Sequence, residues 1–505
     1  MTEHRSEASA TEPRVPPAAE GSAPGAQTAA EVPPTPRAPS ARYDRSIVEG
    51  PLSRVIWKLA WPTMLTNVIG GIQGLIDHAM VGHFVGFAAN AAIGVATQIW
   101  IVVIVFMMSV FTGMSVLVAR FAGAGEEDKV DRTVYQAFLV AAGLALFVLA
   151  PIGYLTAPFA LNFVNAQPEV QAEALPYLRI LFLSSLGLLT FFMLSGALRS
   201  AGDARTPMRV GVVMTVMNIV FNVVLIRGLG PIPAYGTTGA ALGTALAGAL
   251  VTVYALRRLW AGGWVVSFPR RHLRPDWGII RALFRFGLPT GIQGVAMNVG
   301  GVLLLAFIGS LAVSAAAQAA YAIAYTQLFS LITWTAVGML GAAAVAAGQN
   351  LGAAQPERAN QAVRLAARLS LGGAAAVGIL FLFLPRQLLG LFGVGDPLVV
   401  EIGVGLLRVL SVSGLFVAVA LTYTGGLQGT GDTRSPLYIS LVSQVAVPLG
   451  ICALIQQMGT LTPMSIWLAI LAGHATRCLL SVVRFHQGRW RSIPVDIGDP
   501  VARPS

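Results

Sequence analysis

The sequence predicts an all-α integral membrane protein with twelve transmembrane helices. They fall into two six-helix lobes related by a pseudo-two-fold axis along the membrane normal. Three observations carry this expectation. First, the 505 residues are 55% hydrophobic and only 11% charged, and their mean hydropathy is +0.71; soluble domains carry about 25% charged residues. Second, the charges crowd into short connectors, separated by apolar runs long enough to cross about 30 Å of hydrocarbon as helix. Third, the chain repeats itself. Arg199-Ser200-Ala201-Gly202-Asp203-Ala204-Arg205-Thr206-Pro207 returns as Gln428-Gly429-Thr430-Gly431-Asp432-Thr433-Arg434-Ser435-Pro436, 229 residues later. The same offset pairs Gly123 with Gly352 and Lys129 with Arg358, and an offset of 227 pairs Pro62-Thr63 with Pro289-Thr290. In membrane chains, internal duplication marks transporters whose halves rock about a central site.

Taken in order, residues 1–45 are expected to form a disordered cytoplasmic tail. They are rich in Pro, Ala, Ser, Thr and Glu and cannot bury a core. They lack the apolar stretch of a signal peptide, and their five Glu count against a transit peptide. A first lobe follows over 46–265, with spans at 55–80, 90–119, 133–156, 174–198, 208–227 and 238–259. The second lobe, 266–487, has spans at 282–308, 315–349, 365–384, 401–424, 437–456 and 464–483. Residues 488–505 form a cytoplasmic C-terminal tail. The runs 90–119 and 315–349 exceed the bilayer thickness and must tilt, bend or extend beyond it.

Orientation follows from the basic residues. Alternate loops hold Lys129 and Arg132, Arg205 and Arg209, Arg257 to Arg274, Arg358 and Arg364, and Arg434, whereas loops near 84–90, 157–172, 309–314 and 457–463 hold none. Both termini are therefore expected in the cytoplasm. The net charge of +11 is scattered over these loops, so it reads as a topology signal rather than a nucleic-acid surface. Cys452 and Cys478 lie inside apolar spans and read as packing residues, without disulfide or metal spacing.

Thr63, Thr66, Gly70, Gln73 and Asp77 recur at helical spacing on one side of the first span. A stripe that ends in a carboxylate faces protein or water, because an acid facing lipid costs at least ~3 kcal/mol. Two readings remain open for Asp77: an intramembrane functional acid, or a solvated charge at the outer helix end. Pro62 lets the helix bend. His78 and His83 do not fit a common metal-ligand spacing with it, and no metal is expected. The second-half stripe, Thr290, Gln293, Met297, Gly300 and Leu304, has no acid. Ion coupling, if confined to one half, belongs to the first.

Asn218 and Asn222 share a face of the fifth span and need hydrogen-bond partners. They either link helices or present oxygens toward Asp77, with Thr244 and Ser195 as further members. Such a set could hold a sodium ion or surround a carboxylate that binds a proton. Gln318, Tyr321 and Tyr325 on the eighth span read either as packing residues or as the wall of a cavity for flat organic ligands.

Together these residues resemble the multidrug and toxic compound extrusion (MATE) family, most closely its DinF-like branch. The resemblance covers roughly residues 50–485 and rests on several segments. They are Pro62 with Asp77, Arg199 to Pro207, Asn218 to Asn222, Gly239-Ala240-Ala241-Leu242-Gly243-Thr244, and Gly348-Gln349-Asn350-Leu351-Gly352-Ala353. It implies a V-shaped pair of lobes around a central cavity and antiport of cationic or amphipathic organic compounds against H+ or Na+. Asp77 matches the family's coupling acid, with Asn218 and Thr244 as its polar partners. Asn222 departs from the pattern, standing where DinF-like relatives can carry a second Asp. The seventh span and the stretch of the tenth between Leu406 and Tyr423 also lack acids, which puts a second-lobe sodium site in doubt.

The expected function is secondary active multidrug efflux, with Asp77, Asn218, Asn222 and Thr244 coupling the ion. Gln73, Ser195, Gln318, Tyr321 and Tyr325 are expected in the substrate cavity, and Pro62 at a hinge. H+ is preferred over Na+, since a proton needs only Asp77 whereas sodium needs several oxygens. The protein is expected to be a monomer in the bacterial inner membrane, with no nucleic-acid partner and no cofactor beyond the coupling ion. Two rival readings are a lipid-linked sugar flippase, which would line its cavity with Arg, and an intramembrane enzyme. No Gly-x-Ser-x-Gly or paired-His motif supports the enzyme.

The topology is testable. Cysteines introduced at Ala88 and Ala312 should label with an impermeant thiol reagent from outside, and one at Ala354 only from inside. The opposite pattern would reverse the orientation.

Overall fold

Twelve long helical segments account for most of the described residues. The computed structural model describes residues 42–269, 273–459, 461–495 and 497, so most of the expected N-terminal tail lies outside the described residues. In the first half the segments are α1 (Leu52–Phe84), α2 (Phe87–Gly123), α3 (Glu127–Phe163), α4 (Pro168–Leu183 and Ser185–Ser200), α5 (Arg205–Arg227) and α6 (Gly236–Ala261). In the second half they are α7 (Trp277–Gly309), α8 (Ser314–Gly352), α9 (Pro356–Phe383), α10 (Pro397–Thr430), α11 (Arg434–Gln457) and α12 (Pro463–His486). Ten are individually long and apolar enough to cross a membrane, and α4, bent by 52° at Ser184, makes an eleventh. The twelfth is α1, whose Thr, Asn, Gln and Gly dilute its apolar character.

The helices outrun the apolar spans because their ends are polar but capped. Asp276 and Asp396 accept backbone N–H groups at the starts of α7 and α10, and Thr462 and Ser465 form a reciprocal cap on α12. The length of α2, 37 residues, corresponds to about 55 Å at 1.5 Å per residue, so it extends past the hydrocarbon. α8 solves the same problem differently, with a wide-turn segment at Ala322–Leu328. Similar segments occur at Leu144–Gly153, which contains Pro151, and at Leu441–Ala446, just before Pro448. A proline lacks the N–H that the ladder needs and its ring crowds the preceding turn, which displaces the register.

The two halves exchange the first parts of their leading helices. Val55, Ile56 and Leu59 of α1 pack with Met339, Ala342 and Val363 of α8 and α9. Conversely, Ile279, Leu283 and Phe286 of α7 join the first-half core, whereas Leu304 and Ile308 join the second-half core. Pro62 and Pro289 sit where each helix passes from one partner set to the other.

Glycines let the halves approach to backbone contact. A Cβ on Gly123 of α2 would stand 2.0 Å from Gln349 O of α8, and one on Gly352 of α8 would stand 2.1 Å from Arg120 O of α2. The offset of 229 carries Gly123 onto Gly352 and Arg120 onto Gln349, so the contact is reciprocal about the pseudo-two-fold axis. Further along, Gly113 and Gly287 place α2 against α7, each leaving no room for a Cβ beside the other helix's backbone.

Two terminal straps cross this same arginine-bearing end. Ile47, 1% exposed, packs on Gly202, and its carbonyl accepts from Asn350 Nδ2 at 3.3 Å. Arg42 grips Asp131 through two bonds of 2.8 and 3.0 Å, so residues 42–45, assigned to the tail from composition, already lie on the bundle. Against the opposing effect of burial, bonds from Lys58 and Ser46 hold the Asp44 carboxyl below the usual carboxylate range. At the other terminus, Trp490 stacks on Phe485 with ring centroids 4.9 Å apart. The Ile493 carbonyl accepts from Arg120 Nη2 at 3.5 Å. The C-terminal residues expected as tail are thus folded at least through Val495.

The glycine crossing makes a stability prediction. Gly123→Val and Gly352→Val should each destabilise the purified protein by about 1–3 kcal/mol or more through overpacking, read as a lower thermal unfolding midpoint. Gly372→Ala, which meets open space, should not lower it. An unchanged midpoint in both valine variants would mean the two helices can separate freely here.

Candidate functional site

The polar stripe of α1 meets α5 and α6 in a single hydrogen-bond network. Asn222 Nδ2 donates to Asp77 Oδ1 at 2.8 Å and to Asn218 Oδ1 at 3.2 Å. Gln73 Nε2 donates to the same Asn218 oxygen at 3.1 Å, and Thr215 Oγ1 donates to Gln73 Oε1 at 2.8 Å. Asn218 Nδ2 donates to Thr244 Oγ1 at 3.0 Å, and that hydroxyl donates to Ala240 O at 3.1 Å. Helical spacing brings this about: Gln73 and Asp77 are four apart on α1, as are Asn218 and Asn222 on α5, so two adjacent turns face two adjacent turns.

Asp77 is half-buried, and α1 continues for seven residues beyond it to Phe84, about 10 Å of helix. The helix therefore does not end at Asp77. Its neighbour His78 turns away and pairs through Nδ1 with Asn90 Oδ1 at 2.7 Å. Asn222 is fully buried, and its Oδ1 has no partner. That oxygen lies against Gly243, where a Cβ would come within 2.0 Å of it. Thr215 and Gly243 were not singled out from sequence. Thr215 lies one turn before Asn218 on the same face, which was a readable signal. The need for glycine at 243 arises only from the approach of α6.

The expected substrate-cavity residues do not gather in one place. Between the halves lies a cavity of about 220 Å³, lined in part by Thr63, Phe111, Phe192, Arg199, Val337 and Gln428. None of Gln73, Ser195, Gln318, Tyr321 and Tyr325 is among its lining residues. Gln73 belongs to the Asp77 network. Ser195 is buried on α4 with its hydroxyl unpartnered. Gln318 is exposed, because it lies in the first turns of α8 beside Gly309. Arg199 and Gln428, which the repeat offset superposes, face each other across the inter-half cavity. Two further arginines within apolar helices lie apart from it: Arg179 covers the Tyr154 ring at 4.4 Å and Arg408 is exposed.

Tyr321 and Tyr325 line a second cavity, of about 160 Å³, together with Leu304, Gln444, Gly473 and His474. It is the repeat counterpart of the Asp77 network. The offsets of 227 and 229 carry Asp77 onto Leu304, Thr215 onto Gln444 and Thr244 onto Gly473. Duplication thus kept the pocket and changed its chemistry.

Comparison with known proteins fits this architecture. The family model MatE matches twice, over residues 62–224 and 289–452, so the matched copies repeat the offset seen in the sequence. A probable multidrug resistance protein NorM from Thermotoga maritima is 28% identical over 86% of this chain and 92% of its own. The multidrug resistance protein MdtK of Pectobacterium atrosepticum is 26% identical over 86% of this chain and 94% of its own. Among solved structures, the outward-facing conformation of a multidrug resistance MATE family transporter superposes with a TM-score of 0.80. It is 21% identical and covers 88% of this chain and 97% of that one. That likeness shows the fold, twelve helices in two lobes; the apolar helices together with the family match and the NorM relative identify a multi-pass membrane protein.

Gly243 gives the network a test that leaves all its polar groups in place. Gly243→Ala should push the Asn222 amide off Asp77 and reduce gradient-driven transport toward the level of an Asp77→Asn variant. Wild-type transport in Gly243→Ala would show that the Asn222–Asp77 bond is dispensable.

Proposed function

The chain belongs to the MatE family, and on that premise we propose that it is a secondary active efflux transporter. It exports cationic or amphipathic organic compounds across the bacterial inner membrane, with both termini in the cytoplasm. The observation that carries this reading is the Asp77 network: one intramembrane carboxylate, bonded to Asn222 and backed by Asn218, Gln73, Thr215 and Thr244, in one lobe only. The named relatives, NorM and MdtK, are multidrug resistance proteins, which favours drug efflux over uptake.

The coupling ion is a proton. Asn218 Oδ1 already accepts two hydrogen bonds, which fills both lone pairs of that oxygen. Gln73 Oε1 and Thr244 Oγ1 each accept one. Of the network's amide oxygens only Asn222 Oδ1 has no donor, so a sodium ion would compete with existing hydrogen bonds for most of its ligands. A proton needs only Asp77, and neutralising it removes a charge whose transfer into the membrane interior is costly. The protonated and ionised carboxyl then favour different arrangements of α1 against α5. Bending at Pro62 passes that difference to the part of α1 that packs on the second lobe. One charge moving down 100 mV supplies about 2.3 kcal/mol to drive the cycle.

A lipid-linked sugar flippase is the second reading, favoured by Arg199 in the inter-lobe cavity. The apolar Phe111, Phe192 and Val337 beside it suit an amphipathic drug better.

The decisive experiment is efflux of a fluorescent organic cation from proteoliposomes. Asp77→Asn should insert and fold normally yet lose gradient-driven efflux. The wild type should respond to an imposed proton gradient and ignore sodium at fixed pH and potential. Wild-type efflux by Asp77→Asn would remove the carboxylate from the mechanism. Sodium dependence that survives collapse of the proton gradient would make Asn218, Asn222 and Thr244 sodium ligands instead.

A further inference from the structure

The second-lobe cavity has the polarity opposite to its first-lobe counterpart. Where the first lobe has Asp77, Leu304 stands, and no carboxylate lines the second cavity. His474, 4% exposed, lines the cavity, and its Nδ1 has no partner. Gln444 Nε2, also in the lining, is buried without an acceptor. One turn beyond His474 on α12 lies Arg477, 5% exposed, with an unpartnered Nε. It lies just outside the lining, on the helical turn that follows His474.

No carboxylate compensates this guanidinium among the described residues. Asp276, Glu357, Asp396, Glu401 and Asp432, the acids of this half, all lie at or near helix starts. Three of them are already paired, Asp276 with Arg132, Glu357 with Arg491 and Asp432 with Arg484. A buried, unpaired cation inside a membrane lobe is expensive and calls for an anion. The cavity walls are aromatic. Tyr321 and Tyr325 stack at 4.8 Å and 10°, Tyr325 and His474 lie within 13° of parallel, and Trp467 stacks on Tyr321 at 6.0 Å. A volume of about 160 Å³ is the size at which a cavity of about 150 Å³ holds one benzene-sized ring.

We propose that this cavity is a binding site for a small single-ring aromatic acid, its ring against Tyr321, Tyr325 and His474 and its carboxylate toward Gln444 and Arg477. The site goes beyond the transport reading. It lies in the lobe without the coupling acid, and occupancy requires neither Asp77 nor an ion gradient. The anion satisfies Arg477 and the orphaned amide, and the ring fills the space that Leu304 and Gly473 leave open.

The test is equilibrium binding of radiolabelled benzoate to the full-length protein in nanodiscs, with no gradient present. Saturable binding should be competed by unlabelled benzoate and not by benzylamine, which has the same ring and the opposite charge. Arg477→Met and Gln444→Leu, each removing a donor while keeping bulk, should weaken benzoate by about tenfold or more, as expected for loss of a hydrogen bond to a charged group. Asp77→Asn should bind benzoate as the wild type does even where its efflux is lost, so the site and the transport mechanism fail separately. Absence of saturable benzoate binding to the wild type, competition by benzylamine as strong as by benzoate, or unchanged affinity in both folded variants would overturn the proposal.

Discussion

The backbone contact between α2 and α8 at Gly123 and Gly352 sets the geometry on which everything else rests. Two long helices from opposite halves can meet at one point on the pseudo-two-fold axis only if neither carries a Cβ there. Each glycine accepts the other helix's carbonyl in the space a side chain would occupy. With that crossing fixed, α1 lies along α8 and α7 along α2, and the leading parts of α1 and α7 become part of the opposite core. The prolines at 62 and 289 then fall at the changeover between partners. Displacement of one lobe is felt by the other through a continuous helix that is weakened at one defined place.

Symmetry of backbone coexists with asymmetry of chemistry. In the first lobe α1, α5 and α6 converge on a carboxylate whose amide partners are themselves held by other side chains. In the second lobe α7, α11 and α12 converge on a cavity walled by aromatic rings. A duplicated scaffold supplies two equivalent pockets, and each is free to take a different ligand because the helix crossing does not depend on what fills them. Gly243 illustrates how closely pocket and scaffold are fitted in the first lobe, where the absence of one methyl group leaves room for the Asn222 side chain.

Much of this was legible in the sequence, for physical reasons that also mark where legibility ends. Lipid demands long apolar helices, so all twelve segments stood out as spans, although hydropathy stops short of the capped polar ends. A carboxylate at helical spacing from Gln73 pointed to Asp77, and two asparagines one turn apart pointed to its partners. Gln318 was grouped with Tyr321 and Tyr325 on the eighth span but lies exposed, beside Gly309 in the first turns of α8. Arg477 and His474 gave no comparable signal. Their significance lies in nitrogens left without a hydrogen-bond partner, and absence of a partner is a property of three-dimensional neighbours. The folded straps at the two termini were likewise invisible, since short segments dock through a few side chains such as Ile47 and Trp490 rather than through any periodic pattern.

Those straps bear on how fast the molecule can turn over. Ile47 touches the α4–α5 turn of one lobe and α8 of the other, so any parting of the lobes at the arginine-bearing end must pull it out of its socket. Exposing one such side chain costs about 1.5–3 kcal/mol, and Ile493 adds a second anchor from the other terminus. One charge falling through 100 mV yields about 2.3 kcal/mol, the same order. In the proposed cycle the termini would therefore act as a preload. Holding or releasing these loose ends would change that resistance without altering the Asp77 network.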